Sequence, residues 1–466
     1  MLRNANIVIL GFGKEGLSSY GFLRAHLPST RLAFADQLDA EHAPLEIQQI
    51  LDKDPDLDFI GGKDYESCLA NFDVIFRSPG IPPTLPGLQA ARTVGARVTS
   101  NTELFFELCP GRVIGVTGTK GKSTTASLIF SVLQAARMDA RLVGNIGYPA
   151  LSRVNLTAST TTYVVELSSH QLADLTHSPH IAVVHHVVPE HADYYGTFAR
   201  YLAAKTNIAR HQGANDYIVG NADSTSASKI VEHSRAVRMP FGFDGAHDPL
   251  CTLEQDWLVY RNEGRTERVI AAGDVPLRGR FNLLNVMATV IVGKLLEIPN
   301  ETIARAVGQF QALEHRLELV ATIHAVSFYN DSLATVPEAT IAALESFAEP
   351  VVLIAGGEDR GQDFTQLATL VRERGIRGLV LLPPSGDRVR KAVEATGFGS
   401  APPCWSVDTM RDAVRAAVEA ARAGDVVLLS PGSASHGLFR NYTDRGNRFR
   451  RAVQELASDN RHRRLH

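Results

Sequence analysis

Cysteine is scarce and scattered: Cys68, Cys109, Cys251 and Cys404 are the only four, and no two stand in C-x-x-C spacing. That argues against a cysteine zinc site or a disulfide framework and fits a reducing cytoplasm. No apolar run reaches the roughly 18–20 residues needed to cross a bilayer. The N-terminus runs straight into Ile7-Val8-Ile9-Leu10, with no basic segment ahead of a longer apolar core, so no secretory signal is expected. A basic surplus is also missing. With 47 Lys+Arg against 50 Asp+Glu and a net charge of −3, sequence-independent nucleic-acid binding is disfavoured. Two Trp and five Met leave the core to Leu, Val, Ile, Ala and Phe. There is no solenoid repeat and no low-complexity tract.

What is present is a length of 466 residues, enough for two to four domains. Short β-branched runs alternate with helical patterns: Ile7–Leu10, Val113–Val116, Tyr163–Leu167, Ile181–Val188, Val351–Ala355, Gly378–Leu382 and Val426–Ser430. Continuous apolar strands between helices predict α/β architecture, with parallel sheets covered on both faces. Three blocks are expected, at 1–110, 111–312 and 313–466, with a small β excursion over about 240–279 in the second. The first and third read as Rossmann-like, the second as a P-loop sheet. The arginines near the end (Arg445, Arg448, Arg450, Arg451, Arg461, Arg463, Arg464) read as a solvated helix face and tail.

The strand at Arg112–Val116 runs into Gly118-Thr119-Lys120-Gly121-Lys122-Ser123-Thr124 and then into a helical pattern, Thr125–Ala136. This order is that of a phosphate loop. Its backbone N–H groups and helix N-terminus attract phosphate, Lys122 would neutralise β/γ oxygens and Ser123 would ligate Mg²⁺. Val116 stands where the strict pattern has its first glycine, so the loop is a variant. Gly11-Phe12-Gly13-Lys14-Glu15-Gly16 also follows a strand, and Asp36 ends the next one. This turn suits a diphosphate-bearing nucleotide, or is a plain β–α packing turn.

Glu166, at the end of a strand beside the loop, is placed to hold Mg²⁺ directly or through water. Six histidines lie between His170 and His191, but without H-E-x-x-H. His185 and His186 must face opposite ways, and only His191 reads as a ligand-side group. Lys205 falls on the apolar stripe of a helix over Thr197–Gln212. It is either a snorkelling lysine or one carbamylated by CO₂, an anion able to hold a second Mg²⁺.

Together these pieces resemble the Mur ligases, most closely their glutamate-adding branch. The resemblance covers nearly the whole chain. It is carried by Ser78-Pro79-Gly80-Ile81, Gly118 to Thr124, Gly144-Asn145-Ile146-Gly147, Glu166-Leu167-Ser168-Ser169, Ala203-Ala204-Lys205, Asn221-Ala222-Asp223, Asn282 with Asn285, His315-Arg316, Asn330-Asp331-Ser332, and Ser430 to Ser435 leading into Arg445-Gly446-Asn447. The resemblance implies an ATP-dependent ligase of peptidoglycan precursor synthesis that acts through an acyl phosphate. It places Gly13, Lys14, Asp36, Ser78, Gly80 and Asn145 at a UDP-sugar, UDP-N-acetylmuramoyl-L-alanine. It places the loop from Gly118 to Thr124 with Asn282, Asn285, Arg316 and Asp331 at ATP. Lys122, His191 and Lys205 become catalytic, and Ser123, Glu166, His191 and carbamylated Lys205 serve two Mg²⁺. A cytoplasmic monomer is implied.

The chain departs from the branch at the amino-acid pocket. Leu333 and Arg360 stand where the branch has Lys, His436 replaces Leu and Tyr442 replaces Phe, while Thr335 and Ser435 keep their types. Arginine and lysine are not interchangeable at a carboxylate. These departures lead to the expectation of a pocket rebuilt for L-glutamate, coupled to an epimerase acting on the product; the alternatives are D-glutamate or a non-catalytic nucleotide-binding subunit. Glu15 is a further departure, because an anion in the diphosphate turn repels unless it points away or Lys14 compensates.

Overall fold

The computed structural model describes residues 2, 4–63, 65–397 and 400–463. Three sheets carry the chain, in the α/β arrangement expected. In the first, the strands lie in the order Leu57–Gly61, Leu32–Asp36, Ile7–Leu10, Val74–Arg77 and Arg97–Thr99, all parallel. Ile7 to Leu10 are fully buried, as a continuous apolar run in a doubly covered sheet must be.

The second sheet has nine strands. Its parallel part orders Val237–Phe241, Tyr217–Asn221, Ile181–Val184, Arg112–Thr117, Thr162–Glu166 and Ala140–Gly144. The expected β excursion is the meander Cys251–Glu254, Trp257–Asn262 and Arg265–Ala271, added at the far edge. The strand expected to run to Val188 stops at Val184. Beyond it the backbone turns to the phosphate loop: Thr119 N donates to His186 O (2.8 Å), and Val188 N donates to Thr119 Oγ1 (3.0 Å).

The third sheet orders Glu318–Ile323, Val326–Asn330, Val426–Leu429, Val351–Gly356, Gly378–Leu382 and Cys404–Ser406; only its first pair is antiparallel. Apolar side chains cover both its faces, Leu353 and Leu428 on one and Ile354 and Leu429 on the other.

The chain forms two compact units, residues 1–274 with 284–308, and residues 275–283 with 309–466. The first unit holds the first two sheets on a shared core, where Ile9 and Phe34 join Phe105, Tyr163 and Val165. The Phe105 and Tyr163 rings meet edge-on at 5.2 Å. Among the described residues no helix is long and apolar enough to cross a membrane.

The second unit corrects one expectation. Arg445 is not solvated but fully buried, near the start of the helix Tyr442–Arg463. Its guanidinium donates to Ser332 O (2.8 Å), Ser332 Oγ (3.1 Å), Ser433 O (2.9 Å) and Ala434 O (3.2 Å). Four acceptors offset the desolvation of a cation.

Candidate active site

The phosphate loop connects the strand Arg112–Thr117 to the helix Lys122–Ala135. Gly121 caps that helix at φ +86°, and a Cβ there would lie 2.6 Å from Asn285 Oδ1. Thr125 Oγ1 bonds His185 Nε2 (2.7 Å) and Asn285 Oδ1 (3.1 Å), which fixes the loop from behind. Burial, with Lys122 and His186 nearby, pushes His185 down to about 3, so it stays neutral. Lys122 Nζ donates to Thr119 O (2.9 Å), and Lys120 pairs with Glu190 (3.2 Å). Ser123 and Thr124 are buried in the first helical turn.

In front of the loop lies a cavity of about 310 Å³, on which Lys122, Lys205, His191, His170, Asn145 and Gly80 all open. Glu166 is buried and is joined to the cavity lining through Asn145. Asn145 Nδ2 donates to Glu166 Oε1 (2.9 Å), while Glu166 Oε2 is buried with no hydrogen-bond partner among the described residues. An unpaired carboxylate oxygen beside a phosphate loop suits a divalent cation held partly by substrate oxygens. Among the described residues no three His, Cys, Asp or Glu converge into a ready-made cage; Mg²⁺ seldom uses one.

Lys205 projects from the helix Phe198–Arg210, whose N-cap Thr197 accepts from Arg200 N. It does not snorkel. It is 1% exposed, and its Nζ donates to Gly118 O (2.8 Å) and Thr117 Oγ1 (3.4 Å) over the Tyr201 ring. Burial first, and Lys122 second, hold this amine well below the ordinary lysine range. His191, at φ +54°, starts the short helix Ala192–Tyr195. His170, read from sequence as structural, lies edge-on to His191 at 4.7 Å and lines the same cavity; burial and the neighbouring His191 take it down to about 4.

The N-terminal turn reaches this region through its neighbour loop. Ser78 Oγ donates to Gly11 O (2.8 Å). Arg77, which sequence reading passed over, is 2% exposed and bonds Asp174 (2.8 Å), Ile81 O (2.5 Å) and His170 O (3.3 Å). The signal for it was a cation closing an apolar strand just before Ser-Pro-Gly. Gly13 and Lys14 are exposed at the head of the helix Lys14–His26, and Asp36 Oδ1 accepts from Leu38 N; none of the three is on the cavity. Glu15 points away from the exposed face, and Gln171 Nε2 donates to its Oε1 (2.5 Å).

In the second unit Asp331 accepts from Ser430 Oγ (2.9 Å) and Leu317 N (3.2 Å), and burial raises its carboxyl to about 7. Arg316 precedes Leu317, and Leu333 N donates to His315 O (3.1 Å). Asn282 Nδ2 donates to Arg278 O (2.6 Å). Ser435 is buried and Thr335 half-buried. His436 and Tyr442 are exposed, as is Arg360, which pairs with Glu358 of its own turn (2.9 Å).

Comparison with known proteins gives three matches along the chain: a Mur ligase MurD-like N-terminal domain over residues 5–100, a Mur ligase middle domain over 116–293, and a Mur ligase glutamate ligase domain over 315–432. A protein of Acetivibrio thermocellus is 36% identical over 98% of this chain and 97% of its own. The chain belongs to the Mur ligase family. That relative is named UDP-N-acetylmuramoylalanine–D-glutamate ligase, as is one from Symbiobacterium thermophilum, 38% identical over 85% of this chain and 87% of its own. A solved Mur ligase structure, MurF from Thermotoga maritima in complex with ADP, has a TM-score of 0.61 at 16% identity, over 98% of this chain and 96% of that one; at this identity the likeness is one of fold.

The names overturn the L-glutamate expectation, and the epimerase expected with it loses its premise. The physical reason lies in the departures themselves. Arg360, His436 and Tyr442 are surface side chains, and Arg360 already has a carboxylate partner. Exposed side chains of this kind do not by themselves fix a pocket of one handedness, so these departures alone carry no stereochemistry.

Proposed function

We propose that this Mur ligase joins D-glutamate to UDP-N-acetylmuramoyl-L-alanine at the expense of ATP, in peptidoglycan precursor synthesis in the cytoplasm. The observation that carries it is the convergence of Lys122, Lys205, His191 and Asn145 on one cavity, with Asn145 bonded to Glu166, whose second carboxylate oxygen is orphaned among the described residues. The relatives' names support the acceptor's stereochemistry.

A carboxylate is a poor electrophile. The γ-phosphoryl is therefore moved to the alanyl carboxylate, giving an acyl phosphate that the glutamate amine attacks with loss of phosphate. Lys122 neutralises the moving phosphoryl. Asn145 and His191 orient the acyl end. Ser123, Glu166, His191 and a carbamate on Lys205 would hold two Mg²⁺, which would offset the repulsion among converging anions. Gly13, Lys14, Asp36, Ser78 and Gly80 take the UDP part within a domain over 1–110. Asn282, Asn285, Arg316 and Asp331 take the nucleoside and phosphates of ATP. Thr335 and Ser435, with Leu333, Arg360, His436 and Tyr442 around them, take glutamate in a domain over 313–466.

The test is phosphate release from ATP and Mg²⁺ with UDP-N-acetylmuramoyl-L-alanine, comparing the glutamate enantiomers. Turnover with D-glutamate and about ten- to hundredfold less with L-glutamate is expected, since one misplaced charge-assisted hydrogen bond costs about 1.5–3 kcal/mol. Preference for the L form would overturn the stereochemistry, and silence with both would overturn the ligase reading.

A further inference from the structure

Glu15 occupies the second position of the helix Lys14–His26, in the turn that the proposed function gives to a diphosphate. A helix N-terminus favours one anion; two would compete there. The structure resolves the conflict by turning the carboxyl inward. Its Oε1 accepts from Gln171 Nε2 at 2.5 Å, and its Oε2 is enclosed without a partner among the described residues. Gln171 is 4% exposed, and the other end of its amide is committed: its Oε1 accepts from Ser168 N (2.8 Å) and Ser168 Oγ (3.0 Å), and its backbone N completes the capping box on Ser168 Oγ (3.2 Å). Ser168 and Ser169 line the cavity, two and three residues beyond Glu166.

We propose, on the reading above, that Glu15 is a positioning residue for the ligation: through Gln171 it clamps the diphosphate turn onto the segment that carries Glu166 and lines the cavity. The clamp joins the first sheet to the second, so sugar-nucleotide binding and acyl transfer are held in one register. A second tether runs alongside, with Asn101 Nδ2 donating to Glu15 O (3.3 Å), Ser18 Oγ (3.1 Å) and Ser19 Oγ (3.1 Å). The packed elements face the carboxyl with the neutral Gln171 and with the Arg77 cation, itself bonded to Asp174; Lys14, on the same helix, is exposed. Burial outweighs both influences and lifts the carboxyl to about 7. The neutral form is therefore populated near neutral pH and adds no charge against the diphosphate.

Steady-state kinetics of the full chain, native, Glu15→Gln and Glu15→Ala, at pH 6.5 and 8.5, test this. Glu15→Ala is expected to raise KM for the sugar nucleotide about tenfold with KM for ATP unchanged, the loss of one buried hydrogen bond. Glu15→Gln keeps the acceptor and is expected within about threefold of native at pH 6.5. Between the two pH values the native KM should rise several-fold while that of Glu15→Gln stays level. Equal KM for native and Glu15→Ala overturns the proposal, as does a Glu15→Gln variant as impaired as Ala, or a matching rise in KM for ATP. If the native protein turns over no sugar nucleotide, the ligase reading fails. The clamp is then read by calorimetric titration with UDP, where weaker binding in Glu15→Ala than in Glu15→Gln supports it and equal binding overturns it.

Discussion

A lysine buried away from solvent, with no carboxylate on its ammonium among the described residues, is the sharpest local conflict in the first unit. Lys205 donates to a backbone carbonyl and a hydroxyl instead, and burial together with Lys122 drives its amine toward the neutral form. Only a neutral amine adds CO₂: the nitrogen lone pair attacks carbon, one proton leaves, and the side chain becomes an anion. The proposed carbamate would thus add a negative charge in the unit where Glu166 keeps an oxygen with no hydrogen-bond partner among the described residues. In ¹³C-bicarbonate a carbamate carbon signal is expected from the native protein and not from Lys205→Ala. Turnover of that variant should fall by about a hundred- to a thousandfold, as when a group that supports transition-state charge is removed. Full activity in Lys205→Ala without added bicarbonate or short carboxylic acids would sink the idea. Lys205 was legible because its spacing put a cation on an apolar stripe. His170 was not, since a histidine among six in a strand-rich stretch gives no sign of which cavity it faces.

At the scale of elements, strands and the phosphate loop were legible because each rests on local physics: an apolar run for a covered strand, then glycines and a Lys-Ser at a helix start. Ile7–Leu10 and Gly378–Leu382 lie where their patterns put them. The last helix was misread for the opposite reason. Arg445, Arg448, Arg450 and Arg451 look alike in sequence, and only the third dimension separates them. Arg448 pairs with Asp444 one turn back at the surface (3.0 Å), Arg450 reaches Glu318 (2.7 Å), and Arg445 is enclosed. Arg445 fastens the start of the helix Tyr442–Arg463 to the Ser332 and Ser433–Ala434 turns. Burial lowers its guanidinium to about 10 while Asp331 pulls it back up, so it is a cation at neutral pH. Arg445→Ala should destabilise the second unit by on the order of 3 kcal/mol, because buried carbonyls are left without donors. Denaturant unfolding that moves by less than about 1 kcal/mol would mean that apolar packing of Phe449 and Val453 alone docks this helix.

For the molecule as a whole, the partition of the candidate residues matters more than any single one. Those proposed for the sugar nucleotide, Gly13, Lys14, Asp36, Ser78, Gly80 and Asn145, all belong to the first unit; those proposed for glutamate, from Leu333 to Tyr442, all belong to the second. Sequence patterning could not reveal that the first two sheets share one core, because the Phe105–Tyr163 contact joins strangers in sequence. The shared core makes those sheets one cooperative body, while the third sheet has apolar clusters of its own on both faces. Two unfolding transitions are therefore expected in calorimetry. A ligand that binds only the folded form of one body stabilises that body alone, by about 2.7 kcal/mol at a hundred times its Kd. UDP-N-acetylmuramoyl-L-alanine should accordingly raise one transition and leave the other in place, and Arg445→Ala should lower the one that the sugar nucleotide does not move. If the sugar nucleotide raised both transitions equally, or if Arg445→Ala and the ligand acted on the same one, the assignment of substrates to separate bodies would be wrong.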